Sequence, residues 1–514
     1  MGWTAFKIGI DFSIVTLLSI LGTHSIAVPL SPAFPAHELR YIIDHSQASL
    51  LLASNIFHAK AQDVLKACLE TGPKLVRIQK KMGHSSFAGV TLEEPSNGRG
   101  GMMLYTSGTT SRPVSATTIL ESGILFDILS KKGVLLPQSV MTAQSKSLLQ
   151  AWNYTSKDHL LHVLPLHHIH GTINALMTPL FVGSAIEFLF PFNANVVWDR
   201  LAAPFLPRGK TKDKITFFTV VPTVYNRLLA THKDLSPELQ DATRKAISPE
   251  NMRLTISGSA ALPAPIKKAW ADLSNGNILL ERYGMTEVGM ALSCGLDYAD
   301  RVDGSVGWPL PTVQARLVDT ETNEVIQPGE ELDKNGKERD GEIQLCGPTI
   351  FKGYWRNEKA TRDEFVEGED VQGPWFKTGD VAVRRVVPNA GKSGQSWAKG
   401  PMYFIRGRKS ADIIKTGGEK VSALEVEREL LSLPQVAEAA VMAVPSGKWG
   451  QKVGAIVILK PDQTGKTGKQ WGPMDMRRAL RDRLANYKIP QVMKVVDEIP
   501  KNAMGKSKSS PFSS

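Results

Sequence analysis

From its start to about residue 310 the chain alternates short β-rich runs with helical patterns, and no other feature restricts the fold as much. Leu50–Ala53, Leu161–Leu164, Thr216–Val221 and Arg253–Ser257 are apolar runs short enough to be buried strands. Helical patterns at Val224–Thr231 and Ala264–Leu273 stand beside them. Such alternation predicts an α/β architecture with mostly parallel sheets flanked by helices. From Gln314 to Leu345 the texture changes to strands and turns, which predicts a small β subdomain. Beyond the Gly/Ser/Pro-rich loop Val387–Pro401, the run Ser422–Leu433 puts Leu424, Val426, Leu430 and Leu431 near one helical face. Strands are then expected at Ala439–Val444 and Gly454–Leu459, with a helix at Met474–Asn486. The chain therefore divides into a large domain, 1–406, and a small α+β domain, 407–514.

Composition narrows the function classes. The 514 residues are 42% hydrophobic and 22% charged, which excludes disorder and fibre. Cys68, Cys294 and Cys346 are too scattered for a disulfide framework or a metal site, so a reducing interior is expected. Lys and Arg exceed Asp and Glu by 61 to 50, an excess that favours anionic partners. No Lys/Arg stripe or known motif supports nucleic-acid binding. The apolar Ile8–Leu21 carries Asp11, breaks at Gly22-Thr23-His24 and falls short of the ~20 residues a bilayer requires. It reads as a buried helix feeding a strand at Ser25–Leu30, and no stable membrane insertion is expected.

The chemistry begins at Tyr105-Thr-Ser-Gly-Thr-Thr-Ser-Arg-Pro113. Hydroxyl residues around a glycine, placed after the apolar Met102–Leu104, suit phosphate: the backbone approaches closely, and N–H groups and hydroxyls donate to its oxygens. The pattern is not the Gly-Lys-Ser/Thr P-loop. Alone, such a run is a plain loop. It is followed, however, by Glu281-Arg-Tyr-Gly-Met-Thr-Glu287, Trp375-Phe-Lys-Thr-Gly-Asp380, Tyr403–Lys415 with Gly417-Gly418, and Pro500-Lys-Asn-Ala-Met-Gly-Lys506.

In order and spacing these motifs resemble the signatures of the adenylate-forming superfamily: acyl-CoA synthetases, luciferases and peptide-synthetase adenylation domains. The likeness runs from about Val15 to Lys506. Ile26–Pro35, Leu164–Gly171, Ser257–Pro263, Leu280–Met290 and Asp412–Glu427 resemble the malonyl-CoA synthetase branch in particular. The resemblance implies a two-step reaction, in which a carboxylate attacks the α-phosphate of ATP and the thiol of CoA then displaces AMP. It implies that Thr106, Ser107, Gly108, Thr109, Thr110 and Lys132 meet phosphate, and that Glu287 with Thr109 holds Mg²⁺. Thr286 and His168 are expected beside the reacting groups. Tyr283 would stack on adenine, Asp380 would accept the ribose hydroxyls with Arg408 assisting, and Lys506 would reach the oxygens between carboxylate and α-phosphate. The small domain is expected to rotate between the steps, bringing Gly417 and Gly418 to CoA, with Ser410 where relatives carry their hinge residue.

A dicarboxylate needs a fixed cation for its second carboxylate. Arg282, immediately before Tyr283, has the planar fork for that role. Arg227, on what reads as a pocket-lining helix, is a second candidate, and Ser259 can add a hydroxyl. His167, His168 and His170 are expected as pocket wall rather than a metal site. The expected function is malonate–CoA ligation with ATP, CoA and Mg²⁺. The rivals are a ligase for another short acid such as methylmalonate, an adenylation domain loading a carrier protein, and an inactive remnant binding nucleotide only.

The chain departs from its relatives in three places. Val114–Lys131 splits the phosphate loop; removing those residues restores Arg-Pro-Lys-Gly-Val, the family pattern. Its length in codons keeps the reading frame, and Val-Ser can be encoded by an intron-like start, so the segment reads as a translated intron, with a true insertion as the alternative. Relatives carry a substantial segment before the equivalent of Val15, where any targeting sequence would have stood; a mitochondrial or cytosolic location is expected. After Lys506 they continue as a lysine-bearing helix, where this chain has Ser507–Ser514.

Overall fold

A computed structural model describes residues 3–7, 10–66, 69–79, 100–106, 131–207, 212–368, 373–409, 412–416, 419–446, 450–460 and 471–499. Its strands form three sheets. The first runs in the order Gly353–Tyr354, Lys132–Pro137, Gly101–Thr106, Ile26–Pro29, Trp3–Lys7, Leu50–Ser54 and Lys74–Ile78. From Gly101–Thr106 to Lys74–Ile78 every pair is parallel. Helices Ile10–Gly22, Ala36–Ser46 and His58–Lys66 connect these strands. Trp3–Lys7 is a strand with nothing local to mark it; pairing on both sides defines it.

The second sheet changes character at one strand. Ala185–Phe188, His159–His162, Phe217–Val220, Leu254–Ser257 and Leu280–Met285 run parallel. From Leu280–Met285 onward, through Gly289–Ser293, Ser305–Pro309, Met402–Arg408, Trp375–Arg385, Gly341–Cys346 and Gln314–Asp319, neighbours are antiparallel. The β-rich stretch anticipated after Gln314 is thus built as an extension of this sheet. Its core is fully buried around Trp152, Trp198, Trp270 and Trp308.

The small domain holds the third sheet, with Glu419–Ser422, Ile413–Thr416, Gly450–Leu459 and Val436–Ser446 in order and Val492–Val495 against Gly450–Leu459. Its separate core runs from Ile414 to Ile489. Helix Ala423–Leu431 starts at Ser422, whose hydroxyl accepts the Glu425 N–H at 3.1 Å.

Three sequence expectations shift in detail. The strand expected at Leu161–Leu164 is His159–His162, because its register with Ala185–Phe188 starts earlier. The helix expected at Met474–Asn486 spans Pro473–Leu480; beyond it the chain turns so that Leu484 and Ile489 enter the core. The apolar first helix buries Leu17, Ile20 and Leu21 but leaves Val15 64% exposed, so one face is covered. No helix among the described residues is long and apolar enough to cross a membrane.

Candidate active site

Strands that are parallel to one another place their carboxyl ends together, and the crevice beyond them is the usual ligand site in an α/β sheet. Here Phe217–Val220, Leu254–Ser257 and Leu280–Met285 end at Pro222, at Gly258-Ser259 and at Thr286-Glu287. Pro222, Ser259, Thr286 and Glu287 line a cavity of about 530 Å³ that also receives Thr106, Lys132, His168, Tyr283, Asp380 and Arg408. Residues far apart in sequence thus meet at the strand where the sheet turns from parallel to antiparallel. A larger open depression of about 640 Å³ lies elsewhere, between Asn153 and Arg301. Its Arg253 and Asp158 already satisfy each other at 3.0 Å.

At one end of the cavity the Asp380 carboxylate is held from two sides. Tyr283 Oη donates to its Oδ2 at 2.5 Å, and Arg408 Nε lies 2.8 Å from Oδ1. Register places Asp380 opposite Arg408 on neighbouring strands, so the backbone ladder sets the pair. The Tyr283 ring lines the same wall. Arg408 Nη1 also donates to the Thr378 carbonyl at 3.1 Å.

Beyond this lies a second carboxylate, Glu287, which is 5% exposed. Burial pushes its carboxyl above the ordinary range, partly offset by Tyr354 Oη, which donates to Oε1 at 3.1 Å. Lys132 Nζ stands 4.5 Å from the centre of the Tyr354 ring and 3.5 Å from Glu364 Oε1. Thr106 and Lys132 are register partners on antiparallel strands, and both line the cavity. Ser107, Gly108, Thr109 and Thr110 lie outside the described residues, as do Ser410, Gly417, Gly418 and Lys506. Among the described residues no three His, Cys, Asp or Glu side chains could hold a metal by themselves. A buried carboxylate such as Glu287, in the cavity that Thr106 and Lys132 also line, fits Mg²⁺, which is usually held by one or two carboxylates together with substrate phosphates.

The opposite end is cationic. Arg282 is 4% exposed, and among the described residues no carboxylate reaches its guanidinium. Its Nη2 donates to Ser259 Oγ at 3.3 Å, while its Nε has no hydrogen-bond partner. Burial pulls its pKa down to about 9, which leaves it charged at neutral pH. Gly258 makes room for it: a Cβ there would stand 2.4 Å from Arg282 Nε and 2.5 Å from Cζ. Ser259 is held at φ 67°, a left-handed conformation that costs a non-glycine residue roughly 1–3 kcal/mol and marks functional sites.

Two histidines complete this wall. His170 bridges Thr219 Oγ1 at 2.8 Å and Ser259 Oγ at 3.3 Å. Burial, reinforced by Arg282, holds its pKa well below the ordinary value. Burial likewise lowers His168 to about 4, and its Nε2 has no partner. Both are neutral imidazoles at pH 7. His170 opens a π-helical segment, His170–Met177, a winding often found at functional sites.

The structure does not bring Arg227 to this cavity. Arg227 is exposed on helix Pro222–His232, and its neighbours Pro222, Thr223 and Asn226 face the cavity instead. The helix itself lines the cavity, through Asn226 rather than Arg227. Sequence reasoning also missed Tyr354, which follows Gly353 and precedes Trp355 between two recognised motifs. It missed Arg428 as well, although Leu424, Glu427, Arg428 and Leu431 recur at helical spacing and all line the cavity.

Comparison with known proteins identifies the family. The family model for AMP-binding enzymes matches residues 12–117 and 130–355, and the model for their C-terminal domain matches 425–506. The first match is interrupted inside Val114–Lys131. A protein of Gibberella moniliformis named as a CoA ligase is 54% identical over 96% of this chain and 82% of its own length. The human mitochondrial malonate–CoA ligase ACSF3 is 38% identical over 94% of this chain and 77% of its own. Among solved structures, ATP-bound MatB from Rhodopseudomonas palustris superposes with a TM-score of 0.76 at 28% identity, covering 98% of this chain and 87% of that one. A malonyl-CoA ligase in a ternary product complex with methylmalonyl-CoA and AMP gives 0.60 at 29% identity, covering 97% and 90%. The chain belongs to the AMP-binding enzyme family and is an AMP-forming acid–CoA ligase of the malonyl-CoA ligase type.

Proposed function

We propose that the acid is malonate, activated by ATP to malonyl-adenylate with release of pyrophosphate and then transferred to CoA with release of AMP. The observation carrying this reading is Arg282: a buried guanidinium in the cavity with no carboxylate partner among the described residues. Leaving such a cation desolvated is costly, and a ligand carboxylate removes the cost. A monocarboxylate must spend its only carboxylate on the α-phosphate, whereas malonate keeps one for Arg282 and Ser259. Neutral His168 can donate or accept one hydrogen bond at its Nε2 on the same wall.

At the nucleotide end, Asp380 would take the ribose hydroxyls, Tyr283 the adenine, and Lys132 with Thr106–Thr110 the phosphates. Glu287 and Thr109 would hold Mg²⁺, which screens phosphate charge. Lys506 would meet the charge that develops during adenylation, and Gly417 and Gly418 would meet CoA. The closer superposition on the ATP-bound relative than on the product complex supports reading the observed domain arrangement as that of the first step. The boundary between residues 406 and 407 would then separate the two moving parts. The relative named mitochondrial supports that compartment.

Methylmalonate is the second reading, favoured by the methylmalonyl-CoA held by one structural relative. Pyrophosphate release with a panel of acids, with and without CoA, separates the two. It is run on this chain and on a version lacking Val114–Lys131. Malonate selectivity lost in Arg282→Ala supports the pocket assignment, and unchanged selectivity sinks it. Inactivity of both folded versions favours a nucleotide-binding remnant.

A further inference from the structure

The cavity has walls from both domains. On the small-domain side they come from helix Ala423–Leu431 and the strand that follows it. That helix has two apolar or charged faces with separate duties. Val426 and Leu430 are buried in the small-domain core. Leu424, Glu427, Arg428 and Leu431, one turn apart in sequence, face the large domain across the cavity. A ligand of nucleotide size in a space walled in this way would meet side chains of both domains.

Arg428 is one of these side chains. Its guanidinium packs over Gly304 of the large domain: a Cβ there would stand 2.7 Å from Nη1 and 3.1 Å from Cζ. Gly304 also has φ 73°, which a glycine adopts freely. Next to it lies a charge cluster. Buried Lys267 Nζ is 2.9 Å from buried Glu281 Oε1 and 3.1 Å from Oδ1 of Asp303, whose side chain is 71% exposed and so largely screened by water. Lys267 also donates to the Arg301 carbonyl at 2.7 Å, which fixes its position. Burial pushes Glu281 above the ordinary carboxylate range, and Lys267 and then Arg428 oppose it. Glu281 directly precedes Arg282 and Tyr283 on the strand that carries the site.

We infer that Arg428 is a positioning residue: it supplies the second cation of the Lys267–Glu281–Asp303 cluster only when the small domain is closed, and so favours the arrangement used for adenylation. The inference rests on assigning the observed arrangement to the first step. It does not depend on which acid is used. Opening the domains withdraws Arg428 and leaves buried Glu281 with Lys267 alone, so closure has an electrostatic component.

The test uses the full chain with Arg428→Gln and Arg428→Lys. Trypsin cleavage at the interdomain segment around Lys409, followed without ligands, reads domain opening independently of catalysis. Cleavage should be roughly 5- to 10-fold faster in Arg428→Gln and near the parent rate in Arg428→Lys, the size of an ordinary coupling between two sites. With malonate or whichever acid supports turnover, acid-dependent ATP–pyrophosphate exchange should fall by a similar factor. Transfer to CoA from supplied acyl-adenylate should not fall. Equal cleavage rates in all three proteins overturn the latch. Faster cleavage with exchange unchanged and CoA transfer slowed instead overturns the assignment of the arrangement to the first step. An equal melting temperature for the small domain in Arg428→Gln separates this role from a folding role.

Discussion

The end of the cavity proposed for the acid depends on a missing side chain, which makes Gly258→Ala the most direct perturbation of it. Gly258 does not lie at positive φ, so alanine fits its backbone. The new methyl carbon would stand 2.4 Å from Arg282 Nε, 2.5 Å from Cζ and 2.8 Å from Cδ, all well inside contact distance. Arg282 must therefore move, giving up its 3.3 Å bond to Ser259. Overpacking of this kind costs roughly 1–3 kcal/mol, and a displaced long side chain absorbs part of it. The functional cost is larger in proportion. A hydrogen-bonded charged group contributes about 1.5–3 kcal/mol, so malonate kcat/KM should fall roughly 10- to 150-fold. The loss should fall on dicarboxylates, leaving acetate within a few-fold of its starting rate. Steady-state kinetics with both acids, beside a thermal melt, provides the check. If malonate and acetate rates fall together, or if malonate selectivity survives, Arg282 is not the group that reads the second carboxylate.

Tyr354→Phe removes the 3.1 Å hydrogen bond to Glu287 without changing the ring under Lys132. Because that bond opposes the burial-driven rise of Glu287, the acidic limb of kcat/KM should move to higher pH and the Mg²⁺ requirement should rise several-fold; an unchanged limb argues against Glu287 as the titrating group. Lys267→Met leaves Glu281 buried beside Asp303 without its ammonium, and breaking such a pair costs about 3–5 kcal/mol, read as a lower melting temperature. Glu427 is pushed up to about 7, chiefly by burial, while the Val441 N–H it accepts at 2.7 Å pulls the other way. A carboxyl raised in the folded state contributes most below its ordinary pKa and loses that contribution as pH rises through about 7. Glu427→Gln keeps an acceptor for Val441, so the melting temperature should stop declining from this source over that window and exceed the parent's above it. A parallel decline in both proteins refutes the assignment.

Much of this arrangement was legible because local chemistry and global position coincide. Ala264–Leu273 is a helix with the bounds its pattern gives, and Leu254–Ser257 and Phe217–Val220 are the buried strands their apolar runs require. Tyr283, Glu287, Asp380 and Arg408 could be named beforehand because each stands in a motif that, in order and spacing with the others, resembles a signature of the adenylate-forming superfamily. What stayed hidden depends on three-dimensional register. Arg227 and Asn226 are adjacent on one helix, and the rotation that turns the second toward the cavity is set by packing of Val224, Tyr225 and Leu228. Tyr354 matters only because Gly353–Tyr354 pairs with Lys132–Pro137 and so comes beneath Glu287. Arg428 needs the other domain before it has a neighbour. The roles of Ser107, Gly108, Thr109 and Thr110 rest on motif alone, since residues 107–130 lie outside those described.

The two ends of the cavity solve opposite electrostatic problems. At the end proposed for the nucleotide, Asp380 is already balanced by Arg408 and Glu287 already accepts from Tyr354, so those side chains are fixed before a ligand arrives. Preorganised groups lose little on binding and hold the reacting atoms in place. At the end proposed for the acid, Arg282 is buried without a counter-charge among the described residues, and Nε lacks even a neutral acceptor. The neutral histidines are part of the same scheme, because Arg282 itself disfavours a second charge on His170. A buried cation without a carboxylate partner among the described residues discriminates by the penalty it imposes on the wrong ligand. An acid lacking the second carboxylate leaves Arg282 as it was and additionally shuts it away from water. On the malonate reading, selectivity therefore comes less from a strong attraction than from the cost of leaving that cation unpaired, the route by which polar pockets reject analogues missing one group.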